Sequence, residues 1–260
     1  MATQAATNAP SGLIQVEIWT DLICPWCGVG ERLFAQALES FPHKDNVRII
    51  RRSYRLMPGK TPQRIEEVLA DKYEMLPQEI ADSLQKMEQT ALRVDLVYHM
   101  AGCLAGDTID AHRLLHYARE KGLEHELHER LFTAAMCEQA SVYDHEALCD
   151  FAVACGLERA DVGAVLSGDA YREAVLNEEA AMKGHGGRSV PFFVFNGERN
   201  YAGAVDPEIY RNALEDTWDI VQNGPDDTPD TGTASGLGTD KETSPPAGAV
   251  CGPDGCVLPS

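Results

Sequence analysis

The chain has 260 residues, of which 44% are hydrophobic, and it carries a formal net charge of −19, so it can bury a full core beneath a strongly acidic surface. Such a surface repels nucleic acids and anionic membranes, and no apolar run approaches the roughly 18 residues that span a bilayer. Residues 1–12 are small and polar and lack the basic and apolar regions of a secretory signal. We therefore expect a disordered N-terminal arm, a cytoplasmic protein, no nucleic-acid partner and no membrane partner.

The first predicted elements flank a pair of cysteines. Residues 14–19 alternate between apolar and polar, which predicts a β-strand, and the apolar positions that follow the second cysteine recur every three to four residues, which predicts a helix. Cys24, Pro25, Trp26 and Cys27 lie between these two elements. Cys24 is thereby placed at a helix N-terminus, whose N–H groups and dipole favour a thiolate, and Cys27 is near enough to form a disulfide with it.

This arrangement predicts thiol–disulfide exchange, in which one thiolate forms a mixed disulfide and its neighbour resolves it. A strand, Cys-x-x-Cys and a helix in that order favour redox chemistry, with half of a zinc site as the alternative. We expect Trp26 to shield the pair and offer an apolar docking face, and Pro25 to stiffen the loop. Four other cysteines fall at apolar helical positions and are interpreted as small core residues: Cys103, Cys137, Cys149 and Cys155.

The rest of the chain continues as strand, helices and strands. Residues 47–54 predict a second strand and complete a βαβ unit. The middle of the chain predicts helices almost throughout: one after a Thr61 cap, one from Pro77, and others at 110–119, 124–136, 144–155, 161–167 and 169–183. Strand patterns then return and are followed by a last helix: a buried strand at 190–195, a turn at Asn196-Gly197, a strand at 199–202 and a helix capped by Asp206-Pro207.

Two pairs of histidines have spacings that can hold a metal on a helix. His112 and His116 are separated by four positions, and His125 and His128 by three. Neither pair has the acid and third ligand of a known zinc motif. We therefore interpret all four as structural histidines and predict no metal ligand.

The segment 223–260 predicts a flexible tail, because its first part is rich in Gly, Pro, Thr, Ser and Asp. Its second part contains Cys251-Gly-Pro-Asp-Gly-Cys256, where a tight turn would allow a local disulfide. A coil of this length spans roughly 30 Å, so Cys251 and Cys256 are candidate catalytic thiols that exchange with Cys24 and Cys27. The alternatives are unused tail thiols, or a zinc site in which all four thiolates are ligands.

Three segments resemble the DsbA family, and its FrnE-type branch in particular. They are Asp-Leu-Ile-Cys-Pro-Trp-Cys-Gly-Val-Gly at 21–30, Asp-Thr-Ile-Asp-Ala-His-Arg-Leu-Leu-His at 107–116 and Val-Pro-Phe-Phe-Val at 190–194. The resemblance covers residues 14–221. The cysteine loop and the Asp-Ala-His-Arg-Leu segment are its most specific parts.

The resemblance implies an α/β protein with a thioredoxin fold, formed by residues 13–60 and 184–222. A large all-helical insertion, residues 61–183, would separate the N-terminal βαβ unit from the C-terminal ββα unit. It further implies that Pro191 is cis and packs beside Cys24, and that Val190 offers its backbone to an extended substrate. The Cys-x4-Cys tail lies outside the family pattern.

The function implied is that of a disulfide reductase, oxidase or isomerase linked to oxidative stress. Its substrates would be proteins with thiols or disulfides, its reductant would be thioredoxin or glutathione, and it would need no bound cofactor. Relatives in fold include glutathione-dependent 2-hydroxychromene-2-carboxylate isomerases and kappa-class glutathione transferases, which carry serine in place of the first cysteine. A glutathione-dependent isomerase or transferase acting on a small aromatic molecule is therefore an alternative, as is a four-cysteine zinc redox sensor.

Overall fold

The computed structural model describes residues 12–224, 250–252 and 255–257. Its strands are β1 Ile14–Thr20, β2 Val47–Ser53, β3 Gln63–Arg64, β4 Leu104–Ala105, β5 Phe192–Phe195, β6 Arg199–Ala202, β7 Val250–Gly252 and β8 Gly255–Val257. Its α-helices are α1 Pro25–Glu39, α2 Ile65–Tyr73, α3 Pro77–Leu92, α4 Ile109–Glu120, α5 Glu124–Met136, α6 His145–Ala154, α7 Arg159–Ser167, α8 Arg172–Gly184 and α9 Pro207–Asn223. No helix in the described ranges combines the length and apolar character that a membrane crossing requires.

The central sheet has four strands in the order β2-β1-β5-β6. β1 and β2 are parallel, with α1 as the crossover between them, whereas β5 is antiparallel to both β1 and β6. Helices α2 to α8 lie between β2 and β5 in the chain. The predicted α/β thioredoxin fold, with a βαβ unit, a helical insertion and a ββα unit, is confirmed.

The alternation of apolar residues in β1 arises because one face of the sheet is covered by α1 and α9. Phe34 of α1, Phe193 of β5 and Tyr210 of α9 are fully buried on this face, and the rings of Phe193 and Tyr210 have centroids 4.6 Å apart. β5 is buried along its whole length because its alternate residues, such as Phe192, pack on the opposite face against the insertion. Both faces of the central strands are therefore covered, which holds the end of β1 in a fixed position.

The insertion begins differently from the prediction. α2 starts at Ile65 rather than after a cap at Thr61, because the preceding residues form the β3–β4 ladder instead. A Cβ atom on Gly106 would lie 2.7 Å from the Cα of Pro62, so the chain next to β4 packs directly on this proline. Pro62 therefore packs beside β4 instead of starting a helix, and its missing backbone N–H leaves no helix hydrogen bond unmade. Most of the predicted N-terminal arm and of the tail lies outside the described residues.

Glu178 on α8 connects the insertion to the sheet. Its carboxylate accepts hydrogen bonds from Arg52 (3.0 Å) and the backbone N–H of Ser53 (2.7 Å) on β2, and from Arg119 on α4 (3.0 Å). The Nε2 atom of His116, also on α4, lies 3.2 Å from the same carboxylate. Burial opposes ionisation of Glu178, but His116, the Ser53 N–H and Arg119 together hold its pKa well below the usual range.

We predict that Glu178→Gln lowers the free energy of unfolding by about 3 kcal/mol at neutral pH, because it weakens the charge-assisted hydrogen bonds that this buried carboxylate accepts from β2 and α4. Since folding lowers the pKa of Glu178, its contribution is present above the unfolded pKa of about 4.3 and is lost as the pH falls below that value. Urea unfolding of Glu178→Gln and of wild type, between neutral pH and about pH 3, measures the loss of stability and its dependence on pH. Glu173→Gln, at an exposed position of the same helix, is the control and should cost under about 1 kcal/mol. A loss in Glu178→Gln that does not change between neutral pH and about pH 3 would contradict this account.

Candidate active site

Cys24 is the N-cap of α1, directly after the loop that leaves β1. Its backbone is extended, and Pro25 occupies the first position of the helix, where a missing N–H is tolerated. The Cys27 N–H donates to the Cys24 carbonyl (3.0 Å), and the Cys24 N–H donates to the Asp21 carbonyl (3.1 Å). The Cys24 thiol is thus placed at the positive end of a 15-residue helix, as the sequence predicted.

Cys27 lies one turn into α1 and is completely buried, as is Cys24. Burial, reinforced by the hydrogen bond and the charge of Cys24, raises the pKa of the Cys27 thiol well above its usual value. Cys27 therefore holds its proton at neutral pH while the pair is reduced.

The loop before β5 completes the site. The Val190–Pro191 peptide bond is cis, as the family resemblance implied. The Cys24 thiol lies 3.8 Å from the Val190 carbonyl oxygen, in weak hydrogen-bond contact. The structure thus brings together the two cysteines of the first pair and the residues predicted to bind substrate: Cys24, Pro25, Trp26, Cys27, Val190 and Pro191.

The contact between α1 and the proline loop requires a glycine. A Cβ atom on Gly30 would lie 2.7 Å from the Cγ atom of Pro191 and 3.5 Å from the Cα atom of Ala204. The first of these distances is too short for any side chain, so Gly30 allows the helix that carries Cys24 and Cys27 to approach the proline ring.

Three buried residues that sequence reasoning did not assign to the site lie directly behind it. Asp21 accepts hydrogen bonds from the Thr108 hydroxyl (2.8 Å) and the backbone N–H of Leu56 (2.7 Å), and its carboxylate lies 3.4 Å from Nε2 of His112. All three side chains, Asp21, Thr108 and His112, are about 99–100% buried. The available signal was that two of the three segments of the resemblance contain these residues: Asp21 lies in segment 21–30, and Thr108 and His112 lie in segment 107–116.

The family model of the DSBA-like thioredoxin domain matches residues 15–215. The chain belongs to this family. A probable DsbA oxidoreductase from Streptomyces coelicolor is 32% identical and has a TM-score of 0.77, over 95% of this chain and 100% of that one. The uncharacterized protein YwbO of Bacillus subtilis is 25% identical over 209 residues, which are 78% of this chain and 96% of that protein. A 2-hydroxychromene-2-carboxylate isomerase is 13% identical with a TM-score of 0.53, over 79% of this chain and 96% of its own, so that likeness concerns the fold alone.

Next to the cysteine pair, this DsbA-like chain has an apolar cavity of about 330 Å³ between the active-site loop and helices α2 and α3. Pro25 and Trp26 form part of its wall. Five of the seven methionines in the chain also line it: Met57, Met75, Met87, Met100 and Met136. Thioether side chains are flexible and polarisable, so such a wall adapts to apolar groups of different shapes.

The tail cysteines lie on a hairpin beside the active-site helix of the DsbA-like domain. β7 and β8 pair antiparallel, with Cys251 directly opposite Cys256. Directly opposed residues in such a ladder have Cα atoms about 4.5–5.5 Å apart, which a disulfide can join. The backbone of β7 approaches α1 to within 8 Å between Cα atoms. Strand β7 of the tail therefore lies next to α1, the helix whose N-cap is Cys24.

The remaining described cysteines are free thiols that take no part in this site. Burial raises the pKa of the Cys103 thiol to about 11, and it also raises the pKa of the Cys137 and Cys155 thiols. Cys103 further donates hydrogen bonds to the carbonyls of His99 and Ala135. Cys103, Cys137 and Cys155 are therefore poor nucleophiles at neutral pH. Only Cys103 is fully buried in the core, whereas Cys137, Cys149 and Cys155 are half-buried and pack against it.

We predict that Gly30→Ala lowers the free energy of unfolding by about 1–3 kcal/mol, because the new methyl group collides with the Pro191 ring and displaces α1 or the loop. Urea unfolding measures the loss. Gly163→Ala is the matched control, since a Cβ atom at this position in α7 meets nothing within 4 Å. It should stabilise the protein by about 0.5–1 kcal/mol through helix propensity. Equal stability of Gly30→Ala and wild type would show that the helix and the loop are not in close contact.

Proposed function

We propose that the chain is a cytoplasmic thiol–disulfide oxidoreductase of the FrnE-type branch, which exchanges disulfides with protein substrates through Cys24 and Cys27. The observation that carries this proposal is the position of the Cys24 thiol, at the N-terminus of α1 and beside both Cys27 and the Val190 carbonyl. Membership of the DsbA-like family supports it.

In the reducing direction, the Cys24 thiolate attacks one sulfur of a substrate disulfide. The substrate S–S bond breaks, a mixed disulfide forms between Cys24 and the substrate, and the other substrate sulfur leaves and takes up a proton. Cys27 then loses its proton and attacks the Cys24 sulfur, which releases the reduced substrate and leaves the Cys24–Cys27 disulfide. Two thiols of thioredoxin or glutathione return two electrons to the pair. In the oxidising direction the same steps run in reverse.

The difference between the two thiols supports this order of events. Cys27 is held as a thiol by its raised pKa, whereas Cys24 lies at the helix N-terminus, where an anion is favoured. Cys24 is therefore the attacking sulfur and Cys27 the resolving sulfur.

The methionine-lined cavity supports a polypeptide substrate. A flexible apolar wall beside Pro25 and Trp26 accepts apolar side chains of many sequences, which suits an enzyme that meets disulfides in different proteins. Val190 and Pro191 would contact the extended segment that carries the substrate sulfur. Docking of this kind needs no bound cofactor, and glutathione would act only as a redox partner.

The isolated cysteines support a reducing compartment and a reductase or isomerase role. Cys103, Cys137, Cys149 and Cys155 are all unpaired thiols. Secreted and periplasmic proteins seldom keep so many unpaired cysteines. In the cytoplasm, the substrates of such an enzyme would be disulfides formed during oxidative stress.

Glutathione-dependent isomerisation or transfer on a small aromatic molecule is the alternative from another class. The relatives that do this chemistry have serine in place of the first cysteine, whereas this chain has Cys24 in that position and Cys27 next to it. An isomerase of this kind does not need Cys27. Loss of Cys27 should therefore leave isomerase activity intact but stop turnover in disulfide exchange.

We predict that Cys24→Ser abolishes reduction of a model protein disulfide with glutathione as reductant. Cys27→Ser should instead accumulate a mixed disulfide through Cys24, because the resolving thiol is absent. Non-reducing peptide mass mapping after acid quench and alkylation identifies the trapped species. Cys155→Ser removes a half-buried thiol outside the site and is the control that should leave turnover unchanged. Saturable glutathione binding, with catalysis that survives Cys27→Ser, would support the isomerase instead.

A relay between the tail and the active site is a second component of the proposal. Two observations favour it: the register that pairs Cys251 with Cys256, and the approach of β7 to α1. A tethered pair has an effective concentration on the millimolar scale, similar to a cellular thiol pool, so docking of the hairpin beside α1 would favour exchange with the tail. Attack of one tail thiolate on the Cys24 sulfur would break the Cys24–Cys27 bond, form a mixed disulfide with Cys24 and release Cys27 as a thiol. Attack of the second tail thiol on the first tail sulfur would then form the Cys251–Cys256 disulfide and release Cys24.

We predict that oxidised Cys27→Ser protein contains a Cys24–Cys251 or Cys24–Cys256 link, detected by the same peptide mapping. The control is Cys27→Ser with both tail cysteines changed to serine, in which Cys24 should carry only glutathione or a substrate. A closed Cys251–Cys256 disulfide together with Cys24 bound only to glutathione would exclude the relay. Zinc copurified in a one-to-one ratio, and lost with either cysteine pair, would point to the four-cysteine zinc sensor.

A further inference from the structure

A second cluster of ionisable side chains lies one helical turn beyond Cys27, between α1 and α5. It consists of Glu31 on α1 and of His128 and Glu129 on α5, and one ligand-type atom of each lies within 4.8 Å of the other two. Within the described residues, no other three His, Cys, Asp or Glu side chains meet this condition. From the sequence we expected His128 to be a structural histidine, but a structural histidine needs hydrogen-bond partners.

His128 lacks such partners. It is 3% exposed, and neither of its ring nitrogens has a hydrogen bond among the described atoms; the Oε1 atom of Glu31 is also without one. Nε2 of His128 lies 3.7 Å from that oxygen, and Nδ1 lies 3.7 Å from Oε1 of Glu129. A charge-assisted hydrogen bond would shorten such a separation to about 2.7–2.9 Å. Buried polar atoms left in this condition destabilise the folded protein.

The separation fits two ligands of one metal ion. Zinc binds histidine nitrogen and carboxylate oxygen at about 2.0–2.2 Å, so ligand atoms in a tetrahedral site stand roughly 3.4 Å apart. The 3.7 Å between Nε2 of His128 and Oε1 of Glu31 is close to this value. Glu129 has a side chain that is 49% exposed, so it can turn toward an ion held by the two buried groups.

The surroundings also suit a cation. The cluster offers one imidazole and two carboxylate groups, which are donor types that zinc binds. Arg51 donates from Nε to Oε2 of Glu31 (2.8 Å), which orients that carboxylate and leaves Oε1 available.

A cavity of about 210 Å³ opens on the cluster and gives an ion access to it. Glu31, His128 and Glu129 line this cavity, and so does His125, one turn before His128 on α5. The cavity has room for water molecules, which complete the coordination of zinc at sites with three protein ligands.

We propose that Glu31, His128 and Glu129 bind a divalent transition-metal ion of the zinc class, with water or His125 as the fourth ligand. The bound ion joins the active-site helix α1 to helix α5 of the insertion. The site uses no cysteine and does not depend on the redox function proposed above.

The test is a titration of chelator-treated protein with Zn²⁺, followed by calorimetry. The full chain with Cys24, Cys27, Cys251 and Cys256 changed to serine is used, so that the redox thiolates cannot bind zinc. We expect one ion per chain and a higher melting temperature with Zn²⁺, because the ion binds only the folded state. Glu31→Gln and His128→Asn should each weaken binding by at least about tenfold. Co²⁺ as a second probe should give visible d–d absorption without thiolate charge-transfer bands.

His145→Asn is the matched control, because His145 is exposed and also pairs with a carboxylate, that of Asp110 at 2.8 Å. This variant should bind Zn²⁺ as tightly as the parent protein, which is the full chain with the four serine substitutions. If His128→Asn does not fold, Glu129→Gln keeps the test decisive, since Glu129 is half exposed and its loss should still weaken binding. No zinc uptake by the parent protein, or equal uptake by the parent and by every ligand variant, would overturn the proposal.

Discussion

The buried carboxylate of Asp21 is the constraint on which the active site depends. The backbone carbonyl of Asp21 accepts a hydrogen bond from the N–H of Cys24. One oxygen of its carboxylate accepts a hydrogen bond from the backbone N–H of Leu56, beyond β2, and the other accepts one from the hydroxyl of Thr108 in the insertion. This one residue therefore joins the cysteine loop, the parallel strand pair and the helical insertion. A buried carboxylate is stable only when such partners are present, so a shift of any of the three segments would leave a costly unsatisfied charge.

The insertion is held on the sheet by directional polar contacts as well as by apolar packing. Glu178 binds two arginines and a backbone N–H, and Arg55 binds both Asp107 and Glu179. Hydrogen-bonded ion pairs tolerate little change in distance or angle, whereas an apolar contact can slide. The charged contacts thus fix the orientation of the insertion over the dithiol. Cys24 and Cys27 are both fully buried in this arrangement.

Local periodicity was sufficient to predict the four strands of the central sheet and most of the helices, and α5 has the predicted bounds 124–136. The β3–β4 ladder was missed because each strand has only two residues, which are too few for a pattern, and its partners are far apart in the chain. The contacts of Asp21 with His112 and of Glu31 with His128 were also missed. Each joins two elements whose approach is set by the packing of the whole domain, and no spacing within the sequence encodes it. The cis bond followed from the family resemblance rather than from composition.

The methionine wall of the cavity beside Pro25 and Trp26 has a consequence under oxidising conditions. Peroxide converts a thioether into a sulfoxide, which adds a polar, chiral oxygen to a side chain that was apolar and adaptable. Met57, Met75, Met87, Met100 and Met136 all line the same small space. Oxidation of one of them makes that space both narrower and more polar. Under the function proposed above, oxidants that create disulfide substrates would therefore also impair docking in this cavity.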